Sequence, residues 1–225
     1  FIKLNVTEAF WDVFLVVIQL GAIMAVVLVF WNKIWPFNMD KEKHYVHMPK
    51  IILWLKILVA CVPAAIAGLL FEDLIDSIFY TDKTAPYTVG TTLIIYGILF
   101  IVIENYNKKR KAKYNNLSTL TFKVALFIGL FQLLALIPGT SRSGATIIGA
   151  IILGTSRSVA AEFTFYLAIP VMAGASLLKI VKFIAENGMF SGNEITILLT
   201  GCIVAFLVSF FVIKFFMDYI KKHDF

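Results

Sequence analysis

Residues 120–158 read LTFKVALFIGLFQLLALIPGTSRSGATIIGAIILGTSRS, and this stretch constrains the fold more tightly than any other. An apolar run, 120–137, leads into a small hydroxyl-rich loop around one arginine, 138–146, and the apolar run that follows, 145–154, is only about ten residues. Ten helical residues cover roughly 15 Å, half of a ~30 Å hydrocarbon layer. If both arms crossed the membrane the second would be too short, and if only the first crossed the later loops would violate the charge bias between the two faces. A re-entrant hairpin that enters and leaves on the cytoplasmic side satisfies both constraints. Arg157 then sits at its returning end, 138–146 is its tip at mid-depth, and a half-helix begins near Ala145.

The surrounding sequence supplies that membrane. The chain has 225 residues, 60% of them hydrophobic and 15% charged, with a mean hydropathy of +0.88, which places it with integral membrane proteins. Its apolar runs have helix-spanning length, unlike the shorter alternating strands of an outer-membrane barrel. The predicted class is therefore an all-α polytopic membrane bundle forming one domain over residues 1–225. Candidate spans run over 10–31, 51–71, 88–106, 159–183 and 195–216. Trp11, Trp31, Trp35, Trp54, Tyr80, Tyr87, Tyr106 and Tyr219 fall near their ends, where interfacial aromatics belong.

Loop charges set the orientation. Lys33, Lys41, Lys43 and Lys50 fill the first loop, and Lys108, Lys109, Arg110, Lys111 and Lys113 the third. The second carries Glu72, Asp73, Asp76 and Asp82 against Lys83 alone. The first and third loops are expected in the cytoplasm, the stretch around Glu186, Gly188, Gly192 and Glu194 outside, and the C-terminal end, with Lys214, Lys221 and Lys222, inside. The net charge of +6 is thereby explained by topology, and nucleic acid is excluded as a partner. Cys61 and Cys202 lie in apolar runs and read as small packing residues. No signal peptide is visible ahead of the first span. A weak internal echo, Phe14 to Ala25 against Phe163 to Ser176, fits two halves of opposite orientation, an inverted-topology repeat.

The tip carries the chemistry. An unpaired guanidinium in hydrocarbon is costly, so Arg142 implies an anionic partner or water at that depth. Thr140, Ser141, Ser143 and Thr146 offer hydroxyl donors, while Gly139 and Gly144 let the backbone turn N–H groups toward a ligand. The positive end of the returning half-helix adds to the same field. Such a loop suits phosphate. The spacing Gly139-x-x-x-x-Gly144-Ala145-Thr146 is not a nucleotide P-loop, because Ala145 replaces its lysine and no strand precedes it. The bland alternative has Ser and Thr bonding between helices while Arg142 snorkels.

Other polar residues are expected to be structural. His44 and His47 form a His-x-x-His pair in a lysine-rich loop with no acidic helix context, and His223 lies in a charged tail. Lys56 and Lys123 reach the cytoplasmic interface by snorkelling, and Glu104 and Glu162 form ion pairs there. Gln19 and Gln132 either bond between helices or line the cavity.

The loop Pro138-Gly139-Thr140-Ser141-Arg142-Ser143-Gly144-Ala145-Thr146 resembles the signature of the undecaprenyl-diphosphate phosphatase family, the bacitracin-resistance proteins. Ile18 to Ile23, Ile128 to Gln132, Gly154 to Arg157, and Glu162 through Pro170 resemble family segments in the same order. The resemblance implies hydrolysis of undecaprenyl diphosphate to the monophosphate and inorganic phosphate in the bacterial plasma membrane, recycling the lipid carrier of cell-wall synthesis. Arg142 and Ser141 would be catalytic, with Gly139, Thr140, Ser143, Gly144 and Thr146 binding substrate. It further implies a divalent cation, Mg or Ca, held by glutamates of a motif upstream of these residues, next to a Ser-Ser-Thr-Gly-His stretch with the candidate histidine nucleophile. A last span also lies beyond Phe225 in the family. These residues alone are thus expected to be inactive. A homodimer stays open, and the rival functions are a transporter or flippase for an anionic lipid or phosphate and a non-catalytic scaffold.

Overall fold

The computed structural model describes residues 6–37, 46–79, 84–108 and 110–222. His44, His223, Lys41, Lys43, Tyr80, Asp82, Lys83 and Lys109 lie outside them, as do the side chains of Glu72, Asp73, Asp76, Lys108, Lys221 and Lys222. The described residues form helices α1 (Glu8–Val17), α2 (Gln19–Val29), α3 (Trp31–Ile34), α4 (Met48–Phe79), α5 (Ala85–Lys108), α6 (Phe122–Gln132), α7 (Arg142–Ile152), α8 (Arg157–Asn187) and α9 (Gly192–Lys222). They contain no strand, only two isolated bridges. Five helical stretches are long and apolar enough to cross a membrane: Glu8–Val29, Met48–Phe71, Ala85–Asn107, Arg157–Asn187 and Gly192–Ile220. These are the five expected spans, and the protein is an all-α polytopic membrane protein. Residues Phe122–Leu136 and Arg142–Ile152 are helices too short for that class.

The chain divides into two compact units. The first joins residues 1–33 with 168–222. Its core is Phe10, Val13, Val17 and Phe183, where Phe183 stacks on Phe190 at 4.5 Å and Phe10 meets Phe183 edge-on at 6.5 Å. The first span, expected over 10–31, breaks at Ile18. There the Gly21 N–H bonds back to Ile18 O, so the Val17 carbonyl loses its i+4 donor. Cys202 Sγ on α9 donates to Val17 O at 3.5 Å and Ser176 Oγ on α8 to Val16 O at 3.3 Å. Gln19 turns back to Leu15 O. In an apolar surrounding such donors are what a helix break requires, since freed carbonyls have no water to turn to.

The second unit holds residues 34–167, and it is built around the hairpin of α6 and α7. Gly129 lets α6 lie directly on α4, because a Cβ there would come within 2.2 Å of the Ala60 carbonyl oxygen. The two ends of the hairpin meet. Lys113 and Tyr114 N–H groups both donate to Gly154 O, at 2.8 and 3.0 Å, and Ser156 N–H donates to Tyr114 O at 3.0 Å. Arg157 at the start of α8 forms an ion pair with Glu104 on α5, as expected for Glu104. Lys56 departs from the expected snorkelling: it is only 5% exposed and donates from Nζ to Ser118 O, just ahead of the hairpin. Glu162 is likewise buried and accepts from Tyr166 Oη.

Candidate functional site

The hairpin narrows at its tip. After α6 a short 3-10 turn, Leu133–Leu136, carries the chain to Ile137 and Pro138, and Pro138 has no N–H to give to the turn before it, which favours the break there. Gly139 then turns the backbone with φ +86, a conformation that side-chain-bearing residues avoid. It also rests on α5, where a Cβ would meet Thr92 Oγ1 at 2.3 Å and Val89 Cα at 2.7 Å. Thr92 shares its hydroxyl proton between Thr88 O in its own helix, 2.9 Å, and Pro138 O, 3.0 Å. The tip is thereby fixed to α5 by shape and by a hydrogen bond.

The returning helix begins at Arg142, three residues before the expected start near Ala145. Ser141 is the reason. Its extended backbone and its Oγ, which accepts from Gly144 N at 3.2 Å, make it the N-cap. Arg142 therefore stands in the first turn itself, where the N–H groups of Arg142 and Ser143 have no acceptor within the helix and the helix dipole is positive. Ser141 and Ser143 are both exposed, their hydroxyls 3.3 Å apart. Arg142 Nη1 is buried without a hydrogen-bond partner among the described residues, and so is Thr140 Oγ1. The guanidinium lies close enough to the Cys61 thiol on α4 to act on it electrostatically, and the Thr140 hydroxyl faces the Tyr96 phenol without closing a hydrogen bond.

Two of the expected ligands are placed elsewhere. Thr146 is fully buried and points to α8: its hydroxyl donates to Arg142 O and Ser143 O in its own helix, at 3.0 and 3.1 Å, and accepts from Thr164 Oγ1 at 3.0 Å. With its single proton so engaged it has none for a ligand. The Gly144 N–H is likewise committed to the Ser141 cap. The structure adds a residue that the loop motif does not contain. Gln132, at the end of α6, is 2% exposed, and neither its Oε1 nor its Nε2 has a partner among the described residues. In the sequence it stood out as a polar residue in an apolar run, at the end of the Ile128 to Gln132 segment that resembles the family.

What the tip assembles is a guanidinium, three hydroxyls and two open backbone N–H groups around a helix N-terminus, with no carboxylate among them. Donors alone, with a permanent positive charge, fit an oxyanion. A match to the family described as bacitracin resistance protein BacA spans residues 1–225. The chain belongs to the BacA family. It is 55% identical to the undecaprenyl-diphosphatase of Enterococcus faecalis over 226 residues, covering 100% of this chain and 79% of that protein. The undecaprenyl-diphosphatases of Desulfitobacterium hafniense and Acetivibrio thermocellus are 56% and 55% identical, with 78% and 80% of their lengths covered. The His44–His47 pair is only half described, and His47 bonds through its backbone to Pro36 O. Among the described residues no group of three His, Cys, Asp or Glu forms a metal cluster. The described residues therefore do not by themselves hold the divalent cation that the resemblance implies.

Proposed function

We infer that this protein hydrolyses undecaprenyl diphosphate to undecaprenyl phosphate and inorganic phosphate, with the α6–α7 hairpin tip as the cradle for the phosphoryl groups. The reading rests on the buried, unpartnered Arg142 Nη1 at the N-terminus of α7. A buried donor left open costs about 1–3 kcal/mol, more when charged, and an anion offsets that cost. Arg142 grips two phosphoryl oxygens with its planar fork, while Thr140, Ser141, Ser143 and the first-turn N–H groups complete the shell. Splitting the anhydride moves negative charge onto the bridging oxygen, and fixed donors in a site shielded from water stabilise that charge without reorganising. Ser141 holds its hydroxyl at the reacting end because capping Gly144 locks its rotamer.

The hairpin is re-entrant in this reading, entering and leaving on the cytoplasmic face of a bacterial plasma membrane. The backbone hydrogen bonds between Lys113–Tyr114 and Gly154–Ser156 support it, since they hold both ends of the hairpin at one level. So does the length of α7, eleven residues or roughly 16 Å. The prenyl tail lies against apolar surface facing lipid. The names of the relatives do not favour the carrier alternative.

Phosphate release from undecaprenyl diphosphate by the purified full-length protein tests the reading. Arg142→Lys keeps the charge and loses the fork, and is expected to lower kcat/KM at least about a hundredfold. Near-normal turnover in that variant would refute the assignment.

A further inference from the structure

We propose that Gln132 is a substrate-binding residue of the same hairpin, and that its carboxamide selects a phosphoryl group that carries a proton. The inference rests on the cradle reading above. Gln132 is 2% exposed with both amide atoms unpartnered. A buried carboxamide left open at both ends is expensive, and apolar residues of its size would fill the space without that cost.

Its place on α6 shows where it looks. Gly129 rests on the Ala60 carbonyl of α4, and Gln132, three residues on, shares that face one turn nearer the tip. The Arg142 guanidinium, at the start of α7 in the same hairpin, is within electrostatic reach of Cys61 on this part of α4. Two residues further along α4 is Pro63, which has no N–H to offer the Val59 carbonyl. The amide, the guanidinium and the Thr140 hydroxyl are therefore three unsatisfied buried groups of one hairpin.

The pattern of these groups defines the ligand. Arg142 offers donors only, so a fully deprotonated anion would satisfy it. Gln132 offers a donor at Nε2 and an acceptor at Oε1, and the acceptor asks for an O–H. A singly protonated terminal phosphoryl group presents lone pairs and one O–H together. Sulfate has the same shape and size but no proton near neutral pH, and would leave Oε1 unpaired. Sites built to bond a hydroxyl reject the analogue that lacks it strongly. Two molecules carry the required group, the lipid diphosphate head and released inorganic phosphate.

The test is inhibition of phosphate release by the purified full-length protein, with inorganic phosphate and with sulfate as inhibitors at matched ionic strength. Phosphate is expected to compete at least about tenfold better than sulfate. Gln132→Met, close in shape and without polar ends, is expected to erase that preference while leaving the thermal midpoint unchanged or raised. A rise in Ki for phosphate places the amide on the product, a rise in KM for undecaprenyl diphosphate on the lipid head, and either supports the proposal. A phosphate-to-sulfate ratio unchanged by Gln132→Met overturns it, as does the absence of any preference in the parent protein. Gln132→Glu gives a second reading, because a carboxylate of the same shape facing the cradle weakens both anions; unaltered competition there also overturns it. Arg142→Ala separates the two levels: if phosphate still competes fully in that variant, the cradle itself is wrong, whatever Gln132 does.

Discussion

At the scale of single residues, the site depends on backbone shape as much as on charge. Gly139 combines φ +86 with a contact in which any Cβ would collide with Val89 and Thr92. Gly139→Ala therefore has to shift the tip, and a displacement of about 1 Å at a reacting centre costs on the order of a hundredfold in rate. We expect kcat/KM for undecaprenyl diphosphate to fall by that order. Full activity with an unchanged thermal midpoint would show that the tip's position does not matter. The glycine and the arginine were both legible in the sequence, because the loop has no other residue type able to do what they do. Thr146 was not. Its motif position suggested a ligand, but which way a helical hydroxyl points depends on the helix packed opposite, here α8 with Thr164.

At the scale of elements, that pair of threonines joins α7 to α8. Thr146→Val leaves the Thr164 hydroxyl buried without its acceptor and is expected to destabilise by about 1–3 kcal/mol. Adding Thr164→Val removes the orphan and should recover most of the stability and the activity with it. If the double variant stays as inactive as Arg142→Lys, Thr146 belongs to the cradle after all. Glu104 and Arg157 join α5 to α8 at the base of the hairpin, each with a side chain 15% exposed. Glu104→Gln should cost about 1–3 kcal/mol in thermal or denaturant unfolding by stranding a partly buried guanidinium, and a smaller loss in the Glu104→Gln, Arg157→Gln pair would confirm the coupling. The early start of α7 had a signal in Ser141, which stands three residues before Gly144 as an N-cap does. A run of loop-forming residues around it hid the boundary.

At the scale of the whole molecule, the topology makes a prediction of its own. With Cys61 and Cys202 replaced by alanine, single cysteines at Lys111→Cys and Ser158→Cys should react with an impermeant thiol reagent from the same face of the membrane. Met189→Cys, in the exposed turn between α8 and α9, should react from the opposite face. Labelling of the first two from different faces would make the α6–α7 hairpin a crossing and remove the cradle from mid-depth.

The sequence by itself determined the class of fold and the five spans, and it located the break at the tip, because each follows from local quantities: length of apolar runs, and proline and glycine. Tertiary structure decided which polar groups stay open. Ser176 and Cys202 close the carbonyls at the Ile18 break, Thr164 closes Thr146, and none of the described residues closes Arg142 Nη1 or Gln132. Hydrogen-bond partners across 18 to 185 positions of chain are set by which helix faces which, and no periodicity or composition along one strand of sequence records that.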